Sequence, residues 1–430
     1  MTSTSDRGLS FGTDPRPAPR ARVGVFGIGL EAYWPQFAGL RERCEGYQRR
    51  VEEKVEELGA EVVSAGLVDT AQKARAAGER FKREDVDLVL CHAVTYATSS
   101  QVLPAVQEAG VPCLLLALQP VKALDYENTD TAEWLANCSA CCVPELAGAF
   151  TRSRVPYDTV TGTIDDDERA WSQIAAWVRA AGVARALRRA RIGFLGHTYP
   201  GMLDLYTDFT MVHAQLGAHV EVLEIEDLGV RVDAATDEEV AAKRAEIEAM
   251  FDFADPSADP IAGPIEDESM DFSARVAVGL DRLCADFELD GLTYYYRGLN
   301  ENEAERLGAG VIVGNSLLTA RGIPTSGEGD LKTNVAQLIL DRLGAGGSYT
   351  EYYALDFAED FILMGHDGPG HIAIAEGRPT LRALKLYHGK RGFGLSVEFK
   401  VRYGPVTILG CTQTADGRLK LIAAEGESIP

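Results

Sequence analysis

Two carboxylates and one imidazole, each set close to glycine, are the residues of this chain best suited to chemistry. Glu328 stands between glycines in Ser326-Gly327-Glu328-Gly329-Asp330-Leu331-Lys332-Thr333. Glycine admits backbone angles that other residues avoid and leaves room for close approach. A carboxylate framed by two glycines is therefore poorly placed for packing and well placed to hold a cation or move a proton. Glu351 follows in Gly346-Gly347-Ser348-Tyr349-Thr350-Glu351, and His366 in Met364-Gly365-His366-Asp367-Gly368. Hard carboxylate oxygens with one imidazole suit Mn²⁺ or Mg²⁺ better than zinc, which takes more nitrogen and sulfur. Such an ion polarises a carbonyl and stabilises the adjacent oxyanion. A nearby carboxylate can then carry a proton between neighbouring carbons through an ene-diolate. The bland reading, that these acids are helix caps and surface charges, stands beside this one.

A second set lies where strands are expected to end. Glu31, Tyr33 and Trp34 follow the short β-rich run Arg22 to Gly27. His92, with Tyr96 beyond it, follows Val86 to Cys91. His197 follows Ile192 to Leu195, and Tyr296 and Arg297 follow Leu292. Ligands of open α/β sheets gather at the carboxyl ends of strands. Aromatic and hydroxyl groups there suit a neutral polyhydroxylated ligand, with its hydrogen-bonding groups and flat C–H faces. Each residue can equally be a satisfied polar group at a strand edge.

The elements that must position these residues come in two textures. Apolar β-rich runs at Arg22 to Gly27, Glu61 to Val63, Val86 to Cys91 and Cys113 to Leu118 alternate with helical stretches. That alternation signals a parallel sheet with crossover helices. After the acidic patch Asp165 to Glu168 and a helix from Trp171 to Leu187, the pattern restarts at Arg191 to Leu195, His219 to Ile225, Gly291 to Tyr296 and Val311 to Val313. The segment Asp252 to Glu268, with three prolines, reads as a surface loop. From Ser348 onward the runs are short, β-rich and mostly separated by glycine-containing segments, the pattern of antiparallel strands. The expected fold is two doubly wound α/β domains followed by a C-terminal antiparallel β-barrel-like domain. Its divisions are a polar tail over residues 1–20, then domains over 21–180, 181–345 and 346–430.

Composition narrows the function. Lys and Arg number 42 against 65 Asp and Glu, a formal net charge of −23. Nucleic acid and anionic membrane both need a basic surface, so neither is expected as a partner. A highly phosphorylated substrate is disfavoured for the same reason. No run approaches the roughly 20 apolar residues of a membrane span, and the first twenty residues lack the apolar stretch of a secretory signal. Eight cysteines, mostly in apolar segments, suit reduced thiols in a cytoplasm. Cys138, Cys141 and Cys142 offer three thiols without the matching second pair of a zinc site. The loop Gly24-x-x-Gly27-x-Gly29 lacks the third glycine of a dinucleotide fingerprint, and Glu31 and Trp34 occupy the space a phosphate would need.

Around Glu328, Glu351 and His366 the sequence resembles the L-arabinose isomerase and L-fucose isomerase superfamily. The Gly-Glu-Gly-Asp-x-Lys-Thr segment matches the family's first metal-binding glutamate at Glu328, and the glycine- and serine-containing stretch matches the second at Glu351. The Gly-His element matches its metal-binding histidine at His366, nine residues before Ala375 in an Ala-x-Gly-x-Pro context. The early Gly-Ile-Gly-Leu-Glu-Ala-Tyr-Trp falls where the family has a substrate loop. The likeness covers nearly the whole chain in domain order and is specific from about Gly322 to Pro379.

The resemblance implies aldose–ketose isomerisation of a free sugar with Mn²⁺, or Mg²⁺ or Co²⁺, with Glu328 and Glu351 as ligands and acid/base groups. It further implies a homo-oligomer, trimer or hexamer, with shared active sites, in which Glu31 and His92 reach sugar hydroxyls across the interface. Two departures stand out. The family carries a further metal-site histidine beyond the point where this sequence ends, so that ligand is expected to be absent, replaced by water, or supplied by His388 or His371. Fucose-type members use an aspartate in this region, which makes Asp356 an alternative to Glu351. Both departures leave the substrate open more than the reaction type, another aldose included, such as a deoxy or otherwise C6-modified sugar. A non-catalytic sugar-binding protein on the same fold is the competing function.

Overall fold

The structure is a computed structural model. It describes residues 20–257, 263–297, 302–384, 386–387, 390–391 and 394–430. Two compact units divide it between Ala186 and Leu187. The N-terminal unit alternates strand and helix: β1 (Arg22–Ile28), α1 (Leu40–Glu57), β2 (Glu61–Val68), α2 (Ala71–Arg83), β3 (Leu88–His92), α3 (Leu103–Ala109), β4 (Cys113–Gln119), α4 (Thr131–Ala136), α5 (Val143–Arg152), β5 (Tyr157–Thr163) and α6 (Glu168–Arg189). Its sheet is wholly parallel, in the order β2-β1-β3-β4-β5. The strands are apolar on both faces because helices cover both. Val23, Val25, Leu88, Leu90, Leu114 and Leu116 form one core with α1 and the early turns of α6. Phe26, Ile28, Val89, Cys91 and Leu115 form the other with α2 and α5. The strand order reverses between β1 and β3, the crevice where ligands of such sheets bind.

The C-terminal unit begins with a second parallel sheet. Its elements are β6 (Arg191–Gly196), α7 (Phe209–Leu216), β7 (His219–Leu223), α8 (Ile225–Asp233), α9 (Asp237–Met250), β8 (Asp252–Phe253), α10 (Asp267–Asp286), β9 (Gly291–Tyr295), α11 (Glu303–Gly310), α12 (Ile312–Ala320), β10 (Thr325–Ser326) and α13 (Leu331–Arg342). The sheet order is β10-β9-β6-β7, every pair parallel. The run Val311 to Val313, expected as a strand, instead enters helix α12, whose residues through Thr319 are all buried. A short apolar run reads alike as a strand or a buried helix turn, and here it belongs to a helix enclosed by the core.

The remaining strands are β11 (Glu351–Asp356), β12 (Phe361–Gly365), β13 (Thr380–Ala383), β14 (Leu386–Tyr387), β15 (Lys390–Arg391), β16 (Leu395–Glu398), β17 (Gly404–Gln413) and β18 (Leu419–Ser428). They are mostly antiparallel, as expected, and short except for the ten-residue β17 and β18, but the barrel-like closure is not found among the described residues. Three separate two-stranded hairpins form, β11-β12, β14-β15 and β17-β18, together with a mixed sheet β16-β13-β8. The reason is where the apolar side chains go. Ile372, Leu381 and Leu395 pack against Ile247, Phe251, Ala274 and Leu317 of the α/β elements, and β13 pairs in parallel with β8. The β-rich segment thus shares its core with helices α9, α10 and α12. Residues 187–430 form one unit, with no division at 345/346.

The cysteines also differ from expectation at one point. Six are free and buried, whereas Cys138 and Cys141 are joined in a disulfide. Among the described residues no helix is long and apolar enough to cross a membrane.

Candidate active site at the carboxyl ends of the central strands

Strands β6, β9 and β10 run parallel, so their carboxyl ends meet on one side, and Glu328 sits two residues past β10. The loop carrying it is pinned from several directions. Glu328 O accepts from Tyr199 N at 2.8 Å, and Gly329 N donates to Tyr294 O at 3.0 Å. Ser326 Oγ donates to Asp330 O at 2.8 Å. Asp330 caps α13, its carboxylate accepting from Thr333 N at 2.9 Å and Thr333 Oγ1 at 2.6 Å. Lys332 is buried and reaches back to Asp204 O and Thr207 Oγ1, tying the helix to the segment after β6. Asn334 donates to Leu292 O at 3.0 Å and Pro324 O at 2.9 Å. The polar residues after Glu328 therefore hold the loop.

Glu328 has φ +62° and Gly329 φ +67°, a left-handed pair that costs a glutamate on the order of 1 kcal/mol or more. Close approach explains both glycines. A Cβ on Gly329 would lie 2.6 Å from His197 O, and one on Gly327 would lie 3.2 Å from His366 Cε1.

His366 ends the β11-β12 hairpin, one residue past Gly365, which pairs with Glu351. The register therefore brings Glu351 and His366 to the same end of the hairpin. Between them and Glu328 stands Tyr349, 7% exposed. Its hydroxyl donates to Glu328 Oε2 at 3.1 Å, and its ring meets His366 edge to face, centroids 4.4 Å apart at 85°. Burial first, then the charges of Asp330, Glu328 and Glu351, push the Tyr349 phenol above its ordinary value. Two carboxylates and an imidazole thus surround one tyrosine. Their donor types fit a hard or borderline divalent ion. Among the described residues, however, no group of three or more His, Cys, Asp or Glu closes to metal-binding geometry.

An aromatic wall borders Glu328. His197 packs on Tyr295 (5.2 Å) and Tyr296 (6.2 Å), and Tyr199 packs on Tyr295 at 4.8 Å. His197 Nδ1 is 2.8 Å from Thr198 O, a carbonyl that can only accept, so that nitrogen carries a proton. Burial foremost, with Tyr199 and Glu328 adding to it, raises the Tyr295 phenol. His197 and Thr198 also line a cleft of about 520 Å³ with Tyr206 and Phe209, a volume in the range of small-molecule sites. Arg297 lies exposed just past β9.

Other anticipated residues fall elsewhere. Asp356 is at the far end of the hairpin, opposite Phe361. Its Oδ1 accepts from Ala358 N and Glu359 N at 2.9 Å each, so it caps the turn rather than joining Glu328. His388 lies outside the described residues. His371 is buried, with its imidazole pushed down to about 4 by that burial.

The five remaining residues belong to the N-terminal unit. Glu31 and Tyr33 bound a short 3₁₀ turn after β1, and Glu31 is exposed. Tyr33 stacks near Tyr96, centroids 6.4 Å apart. Trp34 donates to Asp69 Oδ2 at 2.9 Å and covers Gly29, where a Cβ would meet its ring at 2.8 Å. The indole fills the place a dinucleotide phosphate would take. His92 is fully buried, 3.1 Å from Gln48 Oε1 and 3.4 Å from Leu118 O. Burial pushes it down to about 4. Within its unit it is a core histidine with no ring edge at the surface, contrary to its expected place among sugar-binding groups.

Residues 207–346 match the L-arabinose isomerase central domain, the stretch that carries β9, β10, Glu328 and α13. An L-arabinose isomerase from a Nocardioides species is 27% identical over 341 residues, covering 78% of this chain and 66% of the relative. One from Clavibacter sepedonicus is 27% identical over 342 residues with the same coverage. The chain is similar to arabinose isomerases, over residues 207–346 by the central-domain model and at 27% identity to these relatives. It aligns with about two thirds of the length of these relatives. A sulfoquinovose isomerase from Priestia aryabhattai is 22% identical over 365 residues, covering 84% of this chain and 76% of that protein.

Tyr349 is the site residue that the sequence pattern did not single out. Its spacing held a signal, since residues i and i+2 of an extended segment share a face, which aligns Tyr349 with Glu351.

Proposed function

We propose that this protein is a metal-dependent aldose–ketose isomerase acting on a non-phosphorylated sugar. The observation that carries the reading is Glu328. It is a carboxylate held at positive φ at the carboxyl end of the central sheet, beside His366 and beneath an aromatic wall. Glu328, Glu351 and His366 would hold the ion, Mn²⁺ or alternatively Mg²⁺ or Co²⁺. When bound, the ion supplies positive charge that favours an oxyanion on the substrate. The chain's own groups do the rest. A glutamate carboxylate would take the C2 proton of the open-chain aldose, the C2–H pair forming C1=C2 while the C1=O π pair moves onto O1; the proton is returned to C1 and the O2 hydroxyl proton passes to O1, which leaves C2=O and gives the ketose. Tyr295, Tyr296 and His197 offer faces and polar edges to the sugar, and Arg297 at the rim offers a donor to its far end. The protein's strong net negative charge favours a neutral substrate over a phosphorylated one. The named activities of the relatives, on L-arabinose and on sulfoquinovose, keep the substrate at the level of an aldose, C6-modified sugars included.

The same proposal includes a homo-oligomer in a cytoplasm. The β11-β12 hairpin exposes Tyr352, Leu355, Phe357, Ile362 and Leu363 by 48–89%. With the other exposed apolar residues of the hairpin, and taking about 180 Å² per large side chain, that is roughly 700 Å². This approaches the area one partner contributes to a standard interface and exceeds what monomers ordinarily leave open. A second copy of this chain is the occupant we assign to it. Six buried free thiols suit a reducing compartment.

The test is ketose formation from a panel of aldoses by protein stripped with EDTA and then reloaded with Mn²⁺. Activity should vanish on stripping and return on reloading. Protein that takes up no Mn²⁺ and forms no ketose would refute the reading.

A further inference from the structure

We propose that Cys138 and Cys141 form a reversible redox site in the N-terminal unit, opened and closed by exchange with low-molecular-weight thiols and their disulfides. The bond joins residues three apart in sequence, with Cα atoms 6.3 Å apart. The other six cysteines of the chain are free and buried. A protein that keeps six thiols reduced and closes one pair has the pattern of a redox-responsive bond, because disulfides in reducing compartments are usually transient. Loop size argues the same way. In the chain-entropy account a disulfide stabilises more the longer the loop it closes. This one closes a very short loop, so a purely structural staple would gain little here. The Cys-x-x-Cys spacing is also one in which thiols exchange readily.

Exposure sets the order of events. Cys141 is exposed, whereas Cys138 and Cys142 are buried. The thiolate of an incoming reductant therefore attacks Cys141 Sγ and forms a mixed disulfide there, while the Cys138–Cys141 bond breaks and Cys138 leaves as a thiolate and takes up a proton. A second reductant thiolate attacks the reductant's sulfur in that mixed disulfide. Cys141 then leaves as a thiol, and the two reductant molecules depart joined as their own disulfide. The reverse sequence closes the pair and reduces a small-molecule disulfide to two thiols. Cys142 stays outside the exchange, since burial encloses it and pushes its thiol up. The bond also links two elements that grip one loop. On the Cys138 side, Leu135 and Ala136 of α4 pack with Val94, and Leu135 O accepts from Thr95 Oγ1 at 2.8 Å. On the Cys141 side, the Glu145 carboxylate of α5 accepts from Ser99 N at 2.9 Å and Ser99 Oγ at 2.6 Å. Val94, Thr95 and Ser99 all belong to the segment after β3, so opening the pair loosens the two grips on that segment from each other.

The experiment equilibrates the folded full chain in glutathione buffers running from reduced to oxidised, traps free thiols with N-ethylmaleimide, and reads each cysteine by peptide mass spectrometry. The expected result is a Cys138–Cys141 pair that is two thiols at the reduced end, a disulfide at the oxidised end, and a mixture between. The six buried cysteines should stay unlabelled until the protein is unfolded. Hydrogen exchange over residues 94–101 and 133–146 should be faster in the reduced protein. In oxidised buffer Cys138→Ser should gain one glutathione at Cys141, and Cys141→Ser should gain it at Cys138 about 10-fold more slowly, because access governs exchange. A pair that stays closed in reduced buffer while the protein remains folded marks a structural disulfide and overturns the proposal. A pair that stays as two thiols in oxidised buffer overturns it as well. Equal modification of the two single variants overturns the order of attack, and hydrogen exchange that is the same in both redox states overturns the coupling to the segment after β3.

Discussion

At the scale of single residues, the proposed function rests on Glu328, a carboxylate at positive φ between two glycines. Every neighbour in its motif has an identifiable fold role: Asp330 caps α13, Lys332 tethers it, and Gly329 lets the chain pass 2.6 Å from His197 O where a Cβ would stand. The Glu328 carboxylate accepts from the Tyr349 hydroxyl. Glu328→Gln is nearly isosteric, so it should leave the metal-free melting temperature within about 1–2 °C while lowering turnover by at least 10²-fold, the usual scale for lost acid–base catalysis. Steady-state assays beside thermal melts check both halves. The sequence made Glu328 legible because glycine on both sides is rare around a charged residue. It hid His92, because a polar residue at a strand end looks alike whether it faces solvent or, as here, the core between α1 and β4.

At the scale of elements, the site depends on how α13 is fastened under β9 and β10. Asn334 is fully buried, and its amide nitrogen donates to two backbone carbonyls, Leu292 O in β9 and Pro324 O just before β10. Gly291 lies where a Cβ would be 2.4 Å from the Asn334 Oδ1, so this join admits no bulk. Asn334→Ala would remove both bonds while Pro324 O keeps the one from Leu292 N, a loss of about 0.5–1.5 kcal/mol for each hydrogen bond. Urea unfolding should show a loss of that order, and an unchanged midpoint would contradict the assigned role.

Periodicity revealed both parallel sheets, since alternating β-rich runs and helices leave few other topologies. It did not reveal that the C-terminal strands stay open. Short strands with turn signals look the same in a barrel and in separate hairpins, and only the packing of Ile372, Leu381 and Leu395 onto α-helical partners decides between them. Likewise the register that brings Glu351 and His366 to one end of a hairpin, and sends Asp356 to the other, is a pairing fact that spacing alone left open.

At the scale of the whole molecule, two properties carry predictions. The first is pH. His92 has its folded value lowered to about 4 by burial, against about 6.5 in an unfolded chain. Between those values the unfolded state binds the proton and the folded state does not, so stability rises with pH across that window and is lost as pH falls from about 6.5 toward 4. The shift corresponds to something on the order of 3 kcal/mol. Denaturant midpoints at pH 7 and pH 5 should differ in wild type, and the difference should shrink in His92→Gln, whatever that variant's absolute stability.

The second property is assembly. Phe357, 89% exposed at the hairpin turn region, is a poor residue to leave in water. Phe357→Glu with Leu355→Glu should shift the light-scattering mass of the purified protein toward the monomer. Wild type that is monomeric at every concentration would contradict the oligomer.

The measurement that bears most directly on the central claim is the fate of hydrogen at C2. Mn²⁺-loaded protein incubated with a panel of aldoses deuterated at C2, followed by NMR, should yield a ketose from at least one sugar, with deuterium leaving C2. Glu328→Gln under the same conditions should leave that label in place. A sugar that binds the wild-type protein while keeping its C2 deuterium and forming no ketose would contradict the account and mark a sugar-binding protein instead.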